Sequence, residues 1–244
     1  MSIVVFQHEE LEHGGRLGEV LRDEGHRLEV IRLYDGDEVP VDLDDVDGVV
    51  SMGGTANVDE TEKYPWIQPE MDFLKRAVEA EVPVVGVCLG CQLLAVAMGG
   101  EAGPMEGIEA GWDPPVESSF FGTMDPILAG IPWRTRPVHM HGYEVTSPPA
   151  GGTPMPLQSS SMSKVQAFRV GFNAYGFQYH FELVRNDLAA ILEDSRDWLA
   201  SAGHDAEAIK RQCDEHYSLY RHLGDRLCRN LATLVFPLDK RRSA

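Results

Sequence analysis

The chemistry of this chain is most concentrated in Gly86-Val87-Cys88-Leu89-Gly90-Cys91-Gln92, where a cysteine stands between two glycines. The apolar run Val82-Pro83-Val84-Val85 ends there and a helical pattern begins. A residue forced into a tight strand-to-helix turn needs small neighbours, because its backbone is strained and the following helix packs close to the strand. Gly86 and Gly90 meet that need. Such a turn also sets the Cys88 thiol at a helix N-terminus, whose unpaired N–H groups and positive partial charge favour the nucleophilic thiolate.

A cysteine nucleophile needs a base and a group that orients it, and Tyr179-His180-Phe181-Glu182 offers both at the end of a predicted strand. In extended chain His180 and Glu182 project from one face, so the carboxylate can fix the imidazole tautomer. Met52-Gly53-Gly54-Thr55 ends another strand pattern. A Gly54 N–H there, with that of Leu89 just after the cysteine, could bind the oxyanion of an attacked amide. Three other readings compete. Cys88 and Cys91 have redox C-x-x-C spacing but lack thioredoxin-like surroundings, and Cys213 and Cys228 have no paired spacing for zinc. His139-x-His141 could hold a metal from one strand face, but no nearby carboxylate or cysteine completes the set, so structure or substrate contact is expected and no metal is assigned. His8, His13, His26, His204, His216 and His222 have no chemical context and read as surface or packing residues.

The elements that must position these groups follow βαβ grammar. Ile3 to Phe6 reads as a strand, Leu17, Val20 and Leu21 as a helix face, and Leu28 to Leu33 as the next strand. Gly48 to Met52 follows, then a helix carrying Ile67, Met71, Leu74 and Val78, the strand into Cys88, and a helix over Leu93 to Met98. The expectation is an α/β fold, a doubly wound and mostly parallel sheet flanked by helices. Gly- and Pro-rich turns from Gly99 to about Ala150 predict a small antiparallel hairpin insertion that includes Val138 to Tyr143. Strand patterns return at Val165 to Val170 and Phe177 to His180. Leu188, Ile191, Leu192 and Leu199 mark a helix, and Ile209, Cys213, Tyr217, Tyr220, Leu227, Leu231 and Leu234 mark a last one that suits core packing or a homodimer interface.

At 244 residues the chain can bury a full core as a single domain over 1–244. The formal net charge of -18 disfavours nucleic acid or an anionic membrane as main partner. The acidic run Asp42 to Asp47 lacks calcium-loop spacing and reads as a solvated face. Four cysteines are too few for a disulfide scaffold, and no apolar run approaches a membrane span. A start without a basic, signal-like prelude gives a cytoplasmic enzyme as the expectation.

Taken in order, Met52-Gly53-Gly54-Thr55, Tyr64-Pro65-Trp66, Gly86 to Ala95, Gly111-Trp112, His141-Gly142-Tyr143, Gln166-Ala167-Phe168-Arg169 and Gln178 to Glu182 resemble the class I, or triad-type, glutamine amidotransferases. The resemblance is strongest to their stand-alone branch similar to the amidotransferase domain of GMP synthase. It spans about 40–185, leaving 186–244 as a helical extension. It implies that Cys88 attacks the side-chain amide of glutamine, His180 protonates departing ammonia and Glu182 orients His180, with Gly53-Gly54 and Leu89 forming the oxyanion hole and no cofactor. It further implies that Gln92 and the Gly142-Tyr143 backbone hold the α-amino and carboxylate ends of glutamine. Phe181 stands where a proline is usual and Thr55 where a proline often follows the glycines. No Ser-Gly-Gly-x-Asp-Ser nucleotide loop is present, which leaves two routes open: a separate synthetase subunit that receives the ammonia, or a hydrolase of the same fold acting on γ-glutamyl peptides or conjugates. The alternatives are a γ-glutamyl peptidase and a non-catalytic regulatory or binding module with this fold.

Overall fold

A computed structural model describes residues 2–149 and 156–238. In chain order the elements are β1 (Ser2–Gln7), α1 (Gly15–Asp23), β2 (Leu28–Arg32), β3 (Val46–Ser51), α2 (Ile67–Glu79), β4 (Val84–Val87), α3 (Leu89–Ala97) and β5 (Glu101–Gly111). They continue with β6 (Val116–Ser118), α4 (Phe120–Met124), β7 (Arg134–Thr135), β8 (His139–Ser147), β9 (Gln158–Ser159), β10 (Ala167–Val170) and β11 (Ala174–Phe177). Helices α5 (Arg185–Asp194), α6 (Arg196–Ser201) and α7 (Ala206–Asn230) follow.

Among the described residues nine strands form one sheet in the order β2-β1-β3-β4-β11-β10-β9-β6-β7. The five from β2 to β11 are parallel, and the buried Val and Ile residues of β1, β3 and β4 are what the centre of a sheet covered on both faces requires. The next strands pair antiparallel. One face packs Leu17, Val20 and Leu21 of α1 and Leu227 and Cys228 of α7 against the sheet; the other packs Ile67, Phe73 and Leu74 of α2 and Leu93 and Leu94 of α3. This is the doubly wound plan, and it brings the C-terminal ends of β1, β3, β4 and β11 to one edge.

The expected insertion is divided. Among the described residues β5 and β8 form a separate two-stranded sheet, whereas β6 and β7 extend the main one. Two other expectations need correction. Helix α3 starts at Leu89, directly after Cys88, and the helix expected over Leu188 to Leu199 breaks at Ser195 into α5 and α6. In the last helix Leu234 is 53% exposed, because the chain widens after α7 into a π turn over Leu231–Val235 that rotates it out of the α-helical register. Tyr220 of α7 accepts the Leu183 N–H at 3.0 Å, and Tyr217 accepts that of Arg185 at 2.8 Å. The C-terminal helix thus secures the chain just after Glu182. Among the described residues no helix is long and apolar enough to cross a membrane.

Candidate active site

Cys88 sits between β4 and α3 at φ 52° and ψ −108°, a left-handed conformation rare for a residue with a Cβ. A Cβ on Gly86 would collide with the Gly90 carbonyl, and one on Gly90 with that of Ser51. Both glycines are therefore demanded by the turn. The Cys88 N–H donates to the Phe177 carbonyl at 2.8 Å, joining the elbow to β11. Leu89 opens the helix, so its N–H has no intrahelical acceptor. Cys91, one turn on, packs in the core cluster on the other side of the sheet, and burial pushes its thiol pKa well above the ordinary value. That environment disfavours the thiolate a redox pair exchanges through.

Strand β11 lies beside β4 with Phe177 opposite Val87. Three residues past its end, His180 pairs with Val138 through its N–H at 2.8 Å. His180 Nδ1 is 2.7 Å from Glu182 Oε1, and both side chains are buried. The other nitrogen, Nε2, is buried with no hydrogen-bond partner among the described residues. Burial lowers the His180 pKa, but Glu182, then Glu12 and the Cys88 thiol, outweigh it and leave the imidazole pKa well above its ordinary value. The Phe181 N–H donates to Glu182 Oε2 at 2.8 Å. Proline has no such donor, so the departure at Phe181 adds a bond to the carboxylate.

The Gly53-Gly54 turn follows β3 and meets this group directly. A Cβ on Gly53 would lie 2.6 Å from Glu12 Oε2 and 3.0 Å from His180 Cε1. The Gly90 N–H fixes the start of the turn through the Met52 carbonyl at 3.0 Å. Behind it, His8 Nδ1 lies 3.0 Å from the carbonyls of both Met52 and Gly53, while Nε2 is 2.8 Å from Glu70 Oε2. Ser51 Oγ donates to Glu70 Oε1 at 2.6 Å, and Trp66 stacks on the His8 ring. Burial lowers the His8 pKa, but the Glu70 carboxylate and the two carbonyls raise it overall. Thr55, at the other departure, hydrogen-bonds Glu9.

A cavity of about 470 Å³ opens over Cys88, lined on one side by Gly54, Thr55 and Glu12 and on the other by Met140 to Tyr143. Leu89, Gln92, Ile191, Ser195 and Trp198 also line it. Gln92 Nε2 donates to the Tyr143 carbonyl at 3.0 Å and to Gln178 Oε1 at 3.2 Å, which joins α3 to β8.

All the residues expected from the sequence, Cys88, His180, Glu182, Gly53, Gly54, Leu89, Gln92, Gly142 and Tyr143, therefore lie in or against one cavity. Sequence reasoning missed Glu12, His8 and Glu70. It read His8 among surface or packing histidines, yet His8 is buried in an ion pair under the glycine turn. The missed signal was position: His8 and Glu12 follow β1, one of the strands whose C-terminal ends meet here. The expectation that no carboxylate completes His139-x-His141 is also corrected, because β5 brings Glu109 Oε2 to 2.9 Å from His141 Nε2. Among the described residues, two groups have donor atoms close enough to share a metal ion: Glu109, His139 and His141, and Glu12, His180 and Glu182.

The model of the glutamine amidotransferase class-I family matches residues 16–195. The chain belongs to this family. It is 26% identical to the glutamine amidotransferase-like protein YfeJ of Salmonella typhimurium, over 96% of this chain and 98% of that one. It is 29% identical to a glutamine-hydrolyzing GMP synthase subunit of Natronomonas pharaonis, over 72% and 86% of the two chains. Gamma-glutamyl peptidase 4 of Arabidopsis thaliana is 28% identical over 86% of this chain and 83% of its own. Among solved structures, a glutamine amidotransferase from Thermotoga maritima superposes with a TM-score of 0.83 at 24% identity, over 96% of this chain and 98% of that one, a likeness of fold. Class-I amidotransferases are generally hydrolytic enzymes.

Proposed function

We propose that the protein hydrolyses the γ-amide of glutamine through a Cys88-His180-Glu182 triad. The observation that carries this reading is the junction of a strained cysteine at a helix start with a buried imidazole held by a carboxylate at 2.7 Å. The Cys88 thiolate adds to the amide carbon, and the tetrahedral oxyanion is held by the N–H groups of Leu89 and Gly54. His180, imidazolium because of Glu182, delivers its Nε2 proton to the leaving nitrogen as the C–N bond breaks. A glutamyl thioester and ammonia remain. The now neutral His180 takes a proton from water, whose oxygen attacks the thioester; glutamate leaves and the thiolate–imidazolium pair is restored. Gln92 and the Gly142-Tyr143 backbone orient the amino-acid end, and the ammonia goes to a synthetase subunit.

One observation favours a second reading, a γ-glutamyl peptidase. The cavity of about 470 Å³ over Cys88 can take a γ-glutamyl compound larger than glutamine, and the similarity to the plant peptidase spans 86% of the chain. The leaving amine is then protonated by the same His180. Glutamate release from glutamine and from γ-glutamyl dipeptides, measured on the full chain beside Cys88→Ala, decides between them. Release that survives Cys88→Ala would overturn the mechanism, and no release from any γ-glutamyl compound would leave a non-catalytic module.

A further inference from the structure

The paired strands β5 and β8 gather Glu109, His139 and His141, all buried, with His141 part of the cavity wall. Register sets Glu109 opposite His141, and His139, two residues earlier on β8, shares the face of His141. Glu109 Oε2 is 2.9 Å from His141 Nε2 and 3.6 Å from His139 Nδ1. All three donor atoms lie within 4.8 Å of one another.

The outer nitrogens of both rings are engaged. His139 Nε2 is 3.0 Å from the Pro114 carbonyl, and His141 Nδ1 is 3.0 Å from the Tyr143 carbonyl. A carbonyl only accepts, so each outer nitrogen carries its proton, and in a neutral ring the inner nitrogen turns a lone pair toward Glu109. Neither inner nitrogen makes a hydrogen bond among the described residues. Lone pairs facing a buried carboxylate repel, and either a proton on His141 Nε2, 2.9 Å from Glu109 Oε2, or a cation shared by all three groups relieves that; only the shared cation also engages His139 Nδ1.

We propose that Glu109 Oε2, His139 Nδ1 and His141 Nε2 bind a divalent transition-metal ion of the zinc type. Tetrahedral zinc with ligands at about 2.0–2.2 Å sets its donors about 3.3 Å apart. The observed separations of 2.9 and 3.6 Å bracket that spacing. Two imidazoles and one carboxylate suit zinc-like ions better than magnesium or calcium. The supports such ligands need are present: a carbonyl on the remote N–H of each ring, and Ser160 Oγ and Gln166 Nε2 on the carboxylate, each at 2.5 Å. The ion would clamp β5 to β8 beside Gly142-Tyr143, a place independent of whether Cys88 turns over substrate.

The test uses the full chain, stripped with a chelator, desalted and titrated with Co²⁺ or Zn²⁺. One equivalent retained after desalting is expected, with visible Co²⁺ bands of a tetrahedral or five-coordinate site. Glu109→Gln and His139→Gln should weaken binding at least about 10-fold. His180→Gln, which removes a donor of the other group, and Cys88→Ser, which removes the thiol in the same cavity, should bind as the parent does. Should the cluster variants fail to fold, X-ray absorption of the zinc-loaded parent decides: two imidazoles and no sulfur are expected. No stoichiometric binding, sulfur scattering, or loss on Cys88→Ser or His180→Gln would overturn the site, leaving a His141 imidazolium as the partner of Glu109.

Discussion

Two histidine–glutamate pairs flank the Gly53-Gly54 turn, and they differ in the fate of one nitrogen. His180 is 2.7 Å from Glu182, and His8 is 2.8 Å from Glu70. Both imidazoles are buried, and carboxylates raise both pKa values against the pull of burial. The free nitrogen of His180 has no hydrogen-bond partner among the described residues, whereas that of His8 is spent on the carbonyls of Met52 and Gly53. Because both partners of His8 only accept, its ring must carry two protons and can exchange neither without breaking a contact. The same chemistry thus leaves one ring with a nitrogen free to meet a ligand and the other with both nitrogens tied to the protein.

The largest effects should fall on the first pair. Cys88→Ala or His180→Ala should lower kcat/KM for the best γ-glutamyl substrate by at least about 10³-fold, read as glutamate release. Glu182→Gln keeps the volume but removes the charge, and kcat should fall about 10²-fold. Glu182 raises the His180 pKa, so its loss lowers that pKa, and protonated His180 then disappears at a lower pH. The alkaline limb of the rate profile should therefore move toward acid. A limb that stays in place would make Glu182 a packing residue.

The first pair was legible in the sequence and the second was not, for a geometric reason. His180 and Glu182 are two residues apart, and Cys88 carries its own steric signature in Gly86 and Gly90. His8 and Glu70 are 62 residues apart, and neither lies in a local motif. Glu109 meets His141 only through the β5–β8 register, which is irregular between Pro104 and Glu109, so counting along either strand could not have paired them. The parallel half of the sheet was read from long apolar runs such as Ile3 to Phe6. Strands β7 and β9, two residues each, are too short to show any period.

A smaller effect is expected at the second pair. Glu70→Gln should lower stability by about 3 kcal/mol, as removal of one partner from a buried ion pair does. It should lower kcat about 10-fold by loosening the turn that bears the Gly54 N–H, with KM little changed and, unlike Glu182→Gln, with no shift of the alkaline limb. The folded pKa of His8 is raised from 6.5, so the stability it contributes is complete below that value and is lost as pH rises through the folded pKa. The gap in Tm between the parent and Glu70→Gln should therefore be widest at acid pH and narrow as pH rises. A gap independent of pH would show that His8 is not held as imidazolium.

The finest test concerns the one bond to Glu182 that family resemblance would not supply. Phe181 donates its N–H to Glu182 Oε2, and its ring packs edge-on against Phe177 with centroids 5.1 Å apart. Phe181→Leu removes the ring but keeps the donor; Phe181→Pro removes both. Both variants should lose stability, so only the difference between them reports on the bond. If the N–H holds the carboxylate in line with His180 Nδ1, Phe181→Pro should have a kcat roughly 5-fold below that of Phe181→Leu, the equivalent of about 1 kcal/mol. Its alkaline limb should move in the same direction as that of Glu182→Gln, by less. Equal kcat values for the two variants would mean that the 2.7 Å contact and the Leu183 anchor on Tyr220 suffice to orient Glu182, as they would have to in a relative with proline at this position.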